Sequence, residues 1–145
     1  MQTFLPYPDF SRSAACLDDK RLGNQRREAL IILRSVLHIN KGWQHHPAVQ
    51  MWRGHPGHLY LYTYEVCWEW TMGRGFKDTC LRKACDAIKQ VSLPTPRPIW
   101  LGDSQLHSSH RAALLAKDPE WYRQFGWTET PKIQYFWPSN TSPPA

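Results

Sequence analysis

Three groupings of side chains in this sequence could do chemistry. Arg21, Asn24, Gln25 and Glu28 are related by three, four and seven positions, so on a helix they share one face, with Arg27 beside them. A carboxylate among cations and amides can move protons or stabilise a developing positive charge, and it is equally what a solvated helix acid looks like. His55 and His58 stand three apart, as do His107 and His110, and His45 adjoins His46. Two H-x-x-H pairs brought together in space would make a metal site for a metal-dependent nuclease or hydrolase. His55-Pro56-Gly57-His58 also reads as a turn, and histidines in a basic groove can contact phosphates or bases. The cysteines, Cys16, Cys67, Cys80 and Cys85, form no C-x-x-C pair, so free buried thiols are expected and no metal is assigned.

The partner is suggested by charge and by flat side chains. Across 145 residues, 18 Lys and Arg oppose 12 Asp and Glu, for a net charge of 18 − 12 = +6. Eight Trp, six Tyr and five Phe accompany a pI near 9.3. Positive charge suits a polyanion, and aromatic rings can stack on bases or fill the gap left by a displaced one. With 41% hydrophobic and 21% charged residues the chain has the composition of a globular protein, which excludes wholesale disorder. No apolar run approaches the ~18 residues of a membrane span, and MQTFLPYPDF lacks the features of a signal peptide. A cytoplasmic, monomeric protein with no membrane partner is expected.

Positioning these residues falls to helices. Pro6 and Pro8 favour an extended arm at the start, and Asp9 or Ser11 can cap a short helix through Ala14, Ala15 and Leu17. From Asp18 to His38, Leu22, Ala29, Ile32, Leu33, Val36 and Leu37 recur at helical spacing, although Gly23 weakens the first turns. A short helical piece is expected around Ala48 to Trp52. A second long helix should cover Leu59 to Met72, ended by Gly73 and Gly75, and a third about Asp78 to Val91. Leu93 to Pro98 must be extended or turning, a short helix should run from His107 to Leu115, and a final turn or helix should form at Trp121–Phe125. The segment from Thr128 reads as irregular. β-alternation is scarce. The expectation is an all-α, compact single domain over residues 1–138, with three main helices, short helices and long irregular connections, and a loose tail at 139–145.

Three patches resemble the pyrimidine-dimer DNA glycosylase family, the phage endonuclease V type. The first is Leu17-Asp18-Asp19-Lys20-Arg21-Leu22 followed by Gln25-Arg26-Arg27-Glu28. The second is Gly57-His58-Leu59 opening a tyrosine-rich helix, then Arg74-Gly75-Phe76-Lys77-Asp78-Thr79. The third is Trp121-Tyr122-Arg123-Gln124-Phe125-Gly126. They occur in family order over about residues 1–126, and the whole chain is more similar still to a bacterial branch of the family, which implies a bacterial or phage-encoded, nucleoid-associated protein.

The resemblance implies a compact helical fold that flips nucleotides out of damaged or modified double-stranded DNA. It implies cleavage of a pyrimidine's N-glycosidic bond, pyrimidine dimers being the default lesion, and strand scission by β-elimination (AP lyase activity). It implies an attacking α-amino group, a helix glutamate that stabilises the cationic sugar, and no metal or other cofactor. Glu28 matches that glutamate by its Arg-Glu context. α-Amino groups titrate near ~7.7–8.0, far below lysine's ~10.4, so a chain terminus can act as a nucleophile near neutrality. Gln2 is too large to favour removal of Met1, and alignment on Leu5 puts the Met1 nitrogen where the nucleophile belongs. The alternatives are Lys20, or a water activated by Glu28 or Asp19.

For DNA contacts the pattern selects Arg21, Gln25, Arg26, Arg27, His58, Lys117, Trp121 and Tyr122. Trp43, Trp52, Trp121, Tyr122 and Trp127 are candidates to wedge or stack, at least half of them being core. Trp43 to His58 has no close counterpart in the phage type of the family, so the pocket could take another modified pyrimidine. A non-catalytic helical nucleic-acid-binding protein and the metal-dependent nuclease are the competing readings.

Overall fold

Residues 1–139 are described by the structure, a computed structural model; of the tail expected at 139–145, positions 140–145 lie outside the described residues. Helices α1 (Phe10–Cys16), α2 (Asp19–Val36), α3 (Pro47–Gln50) and α4 (Pro56–Trp68) are followed by α5 (Cys80–Ile88), α6 (Ser104–Lys117) and α7 (Pro119–Tyr122). Among the described residues there is no strand, and no helix is long and apolar enough to cross a membrane. The all-α expectation is met.

Short polar side chains start these helices by accepting otherwise orphaned backbone N–H groups, each worth about 1 kcal/mol. Asp9 accepts from Arg12 N and Asp103 from Gln105 N, both within 2.9 Å, and Asp18 accepts from Arg21 N. Asp78 accepts from Cys80 N and Leu81 N, which starts α5 two residues later than its apolar pattern suggests. Asp103 starts α6 earlier than expected, because His107 and His110 are buried on its inward face and polar residues hide a core stripe from a hydrophobicity pattern. α4 passes into a π-helical turn, Glu69–Gly73, before Gly75 ends the run with a left-handed φ of 75°.

α2 packs against α4 and α5 with Leu22, Ala29, Ile32 and Leu33 fully buried. One hydrophobic cluster draws on every helix, from Ala14 in α1 to Tyr122 in α7. Gly23, which costs a helix about 1 kcal/mol relative to alanine, is placed by a close approach. A Cβ there would stand 3.0 Å from the Trp70 ring.

The first residues form no regular element and are nonetheless core. Thr3 and Leu5 are fully buried and Gln2 and Phe4 nearly so. Side chains do for this arm what a neighbouring strand would. Gln25 Nε2 donates to Gln2 O and Gln25 Oε1 accepts from Phe4 N, both at 2.9 Å. Tyr62 Oη lies 2.9 Å from Phe4 O, Leu5 N donates to His110 Nδ1 at 2.8 Å, and Arg111 donates to Pro6 O at 2.8 Å. The Trp52 indole N–H reaches Thr3 Oγ1 at 3.1 Å. Buried backbone must be paired, so the arm's position is set by α2, α4 and α6 together.

The late segment after α7 is irregular, as expected, but it is tied down along α6. Lys132 N donates to Ala112 O and Phe136 N to Ser109 Oγ, each at 3.1 Å. Glu129 pairs with Arg111 at 2.9 Å.

Candidate active site

The arm carries Met1 to the polar face of α2. There Met1, Gln2 and Phe4 line a cavity of about 300 Å³ with Lys20, Arg21, Asn24, Gln25 and Glu28. Lys117, at the end of α6, and Tyr135, from the late segment, close it. Four cationic groups thus surround one carboxylate, an arrangement that suits a sugar flanked by phosphates.

Gln25 fixes the relation between the arm and the acid. Its amide nitrogen donates to Gln2 O and, at 2.8 Å, to Glu28 Oε2, while its oxygen accepts from Phe4 N and from the Tyr62 hydroxyl at 2.6 Å. Both donors and both acceptor positions are used, so the side chain has one orientation. Glu28 is half-buried, and burial raises its pKa above the usual carboxylate range. The Met1 ammonium, Lys117 and Arg27 pull it back, in that order, and the Gln25 hydrogen bond adds to them. An acid poised in this way can hold a proton or carry charge beside a reacting centre.

The remaining sequence-selected residues divide. Arg21 and Lys117 line the cavity, and Arg27 is exposed beside it with one guanidinium nitrogen on Asn24 Oδ1 at 3.0 Å. Arg26 is not a free phosphate ligand. Its guanidinium lies 2.6 Å from Asp78 and stacks over Trp70, 4.4 Å from the ring centroid. Gln25 is buried, with its amide engaged by the arm, Tyr62 and Glu28, and it also lines the cavity. Tyr122 is fully buried, its hydroxyl donating to the Asp18 carboxylate, because the helix α7 needs an anchor to α2. Trp121 is 37% exposed and donates its indole N–H to Cys16 O at 2.8 Å. His58 lies apart from the cavity, against Leu93, Pro94 and Thr95. Asp19 is paired with Arg74 at 2.8 Å and is not among the cavity's lining residues. Trp52 is core.

The two H-x-x-H pairs are used separately. Gly102 N donates to His107 Nε2 at 3.0 Å, so His107 Nδ1 carries the proton and donates it to Leu5 O at 2.8 Å. His110 accepts from Leu5 N, so its proton sits on the buried Nε2, which has no partner. Burial lowers both pKa values, that of His110 to about 3, and the neutral ring is the form that can accept from Leu5 N. His55 Nδ1 lies 2.8 Å from Pro96 O instead. Among the described residues no three His, Cys, Asp or Glu side chains are grouped to hold a metal ion.

Sequence reasoning missed Gln2, Phe4 and Tyr135. No spacing rule links residue 4 to residue 135; the signal was the aromatic pairing that only the fold brings together, with Phe4 and Tyr135 edge to face at 6.2 Å.

A family model described as pyrimidine dimer DNA glycosylase matches residues 1–84. No curated protein matches, and no solved structure does. The matched stretch contains the arm, α2 and the start of α5. It leaves Lys117 and Tyr135 outside, although they close the same cavity.

Proposed function

The chain belongs to the pyrimidine dimer DNA glycosylase family of DNA-repair enzymes, and from that premise we propose that it excises a damaged or modified pyrimidine from double-stranded DNA and then cuts the strand as an AP lyase. The nucleophile is the Met1 α-amino group. Its lone pair attacks C1′ of the extruded nucleotide while the bond from C1′ to the base breaks. The electron pair goes to the base, which takes up a proton, and the amine gives one up. Opening of the sugar puts a proton on O4′ and leaves an imine between the Met1 nitrogen and C1′. Loss of a C2′ proton then expels the 3′ phosphate with the electrons of the C3′–O3′ bond. Hydrolysis of the imine restores the amine.

Glu28 faces the positive charge that develops on the sugar, where a fixed carboxylate in a partly dry site is worth several kcal/mol as an order of magnitude. Its raised pKa also suits it to carry the protons that the imine steps require. Arg21, Arg27 and Lys117 hold the flanking phosphates. A single copy of the chain carries the whole cavity, which supports action as a monomer.

The observation that carries this reading is the cavity shared by Met1 and Glu28, with Gln25 bridging the carbonyl of the next residue, Gln2, to Glu28. Lys20 lines the same cavity and is the second candidate amine. The test is a set of duplexes holding one cyclobutane dimer, one abasic site or one modified pyrimidine, incubated with the protein in EDTA. Base release and strand scission are expected on at least one pyrimidine lesion. Binding without release on every lesion would leave a non-catalytic binding protein, and release that EDTA abolishes would point to a metal enzyme.

A further inference from the structure

Extruding a nucleotide leaves a hole in the base stack, and something must occupy it for the extruded state to last. The tryptophans differ sharply in their freedom to do so. Trp52 and Trp100 are core, and Trp127 is half-buried, stacked on Tyr122 and Phe125. Trp68 is exposed, but it lies flat on Tyr64 along α4. Trp43 is 58% exposed at the surface of the loop between α2 and α3.

The backbone at Trp43 has φ of 64°, a left-handed conformation that bulky L residues rarely adopt. Such a conformation persists only where the surroundings impose it. Here they do. Gln44 Nε2 donates to Ser35 O and Asn40 O, both at 2.9 Å, and Arg53 donates to Gln44 O at 3.1 Å. His46 N donates to Trp43 O at 3.0 Å, and His46 Nδ1 accepts from Ala48 N at 3.0 Å to start α3. The loop is therefore anchored on both sides of Trp43 while the indole stays in solvent. Glycine would sit at this φ without strain, yet the chain places its largest side chain there.

A chain of rings joins this loop to the catalytic cavity. Trp43 meets the edge of His46 at 5.9 Å, His46 meets Trp137 at 6.0 Å, and Trp137 meets Tyr135 at 5.8 Å. Tyr135 lines the cavity beside Met1 and Glu28. Burial lowers the pKa of His46, and the Met1 ammonium lowers it further, so His46 lies within electrostatic reach of the amine.

We propose that Trp43 enters the base stack beside the extruded nucleotide and holds the gap open while the cavity takes the nucleotide. The inference rests on the glycosylase reading above. It assigns the wedge to one residue, on a hydrogen-bonded loop three ring contacts from Tyr135 in the cavity wall, carrying a ring that can stack on any base and so imposes no sequence of its own.

The test compares wild type with Trp43→Gly and Trp43→Phe on one lesion in two settings, fully paired and opposite an unpaired gap. Glycine suits the backbone at this position, so its thermal midpoint should equal or exceed that of wild type. Base release by Trp43→Gly should fall at least about tenfold on the paired duplex and stay within about threefold of wild type where no stack has to be filled. Trp43→Phe should recover part of the loss. A 2-aminopurine beside the lesion should change its fluorescence on binding wild type and not on binding Trp43→Gly. Equal activity of wild type and Trp43→Gly on the paired duplex would overturn the proposal. So would an equal loss on both duplexes, and an unaltered DNA response with loss of a protein partner would make Trp43 a protein contact instead. If wild type releases base from neither duplex, the reaction assigned above fails, and the fluorescence response alone then decides the wedge.

Discussion

On one face of α2, Arg21, Asn24, Gln25 and Glu28 line a cavity beside Met1; on another, Gly23 and Arg26 are closed over by Trp70 and Asp78. Both faces are polar in sequence and both lie in the stretch that matches the family. Arg26 and Arg27 are neighbours of equal charge, yet one has its counterion and its ring inside the fold while the other is exposed. The difference teaches that a cation is available to a phosphate only if the fold has not already supplied its partner. A buried pair gives up little when DNA arrives and loses much when broken.

The largest expected effect belongs to the cavity face. Glu28→Gln should slow base release by about 10²–10³-fold, the usual scale for removing one group that stabilises transition-state charge. DNA affinity should hold, and single-turnover release with a parallel binding titration reads both. On the packed face the prediction reverses. Arg26→Met should cost about 3 kcal/mol of stability by leaving Asp78 buried without its partner, while the salt dependence of DNA binding stays as in wild type. Denaturant unfolding and a binding titration over salt would check this; unchanged stability with collapsed affinity would erase the contrast between the faces.

Acid should loosen the arm before it touches the packed face. The pKa of His110 is pulled down to about 3 by burial and by His107, so its neutral form is favoured in the fold. Above the unfolded value, near 6.5, the stabilisation is fully present. Between there and about 3 the unfolded chain binds the extra proton, so stability falls as pH falls, by roughly 1.4 kcal/mol per pH unit for one group. His107, also lowered, acts in the same sense, and Glu28, raised, acts in the opposite one just above 4.5. Urea unfolding from pH 7 to pH 4 should show this slope and lose most of it in His110→Gln. The smallest effect is on the rim of the cavity. Lys117→Ala should reduce the salt slope of DNA binding by about 0.9 and change stability by less than about 0.5 kcal/mol.

Helix order and the polar face of α2 were legible because they follow from local spacing. The resemblance, rather than any pattern in the residues, singled out Met1 and Glu28, and both line the same cavity. What stayed hidden was long-range. Gln25 has the composition of a surface contact and becomes the crossbar between arm and acid, a role that depends on Tyr62 and Phe4, 37 and 21 positions away. His107 and His110 have the spacing of metal ligands and instead grip the backbone of Leu5, 102 and 105 positions away. Gly23 reads as a helix weakness until Trp70 is seen against it. A polar residue's role is fixed by what the fold sets opposite it, and one-dimensional spacing reports only its own element.

The most direct test of the account is borohydride reduction during the reaction on lesion-bearing duplex, followed by peptide mapping of the adduct. A single stable protein–DNA adduct on the α-nitrogen of Met1 is predicted, much reduced in Glu28→Gln. An adduct on Lys20, or base release with no adduct at all, would contradict it.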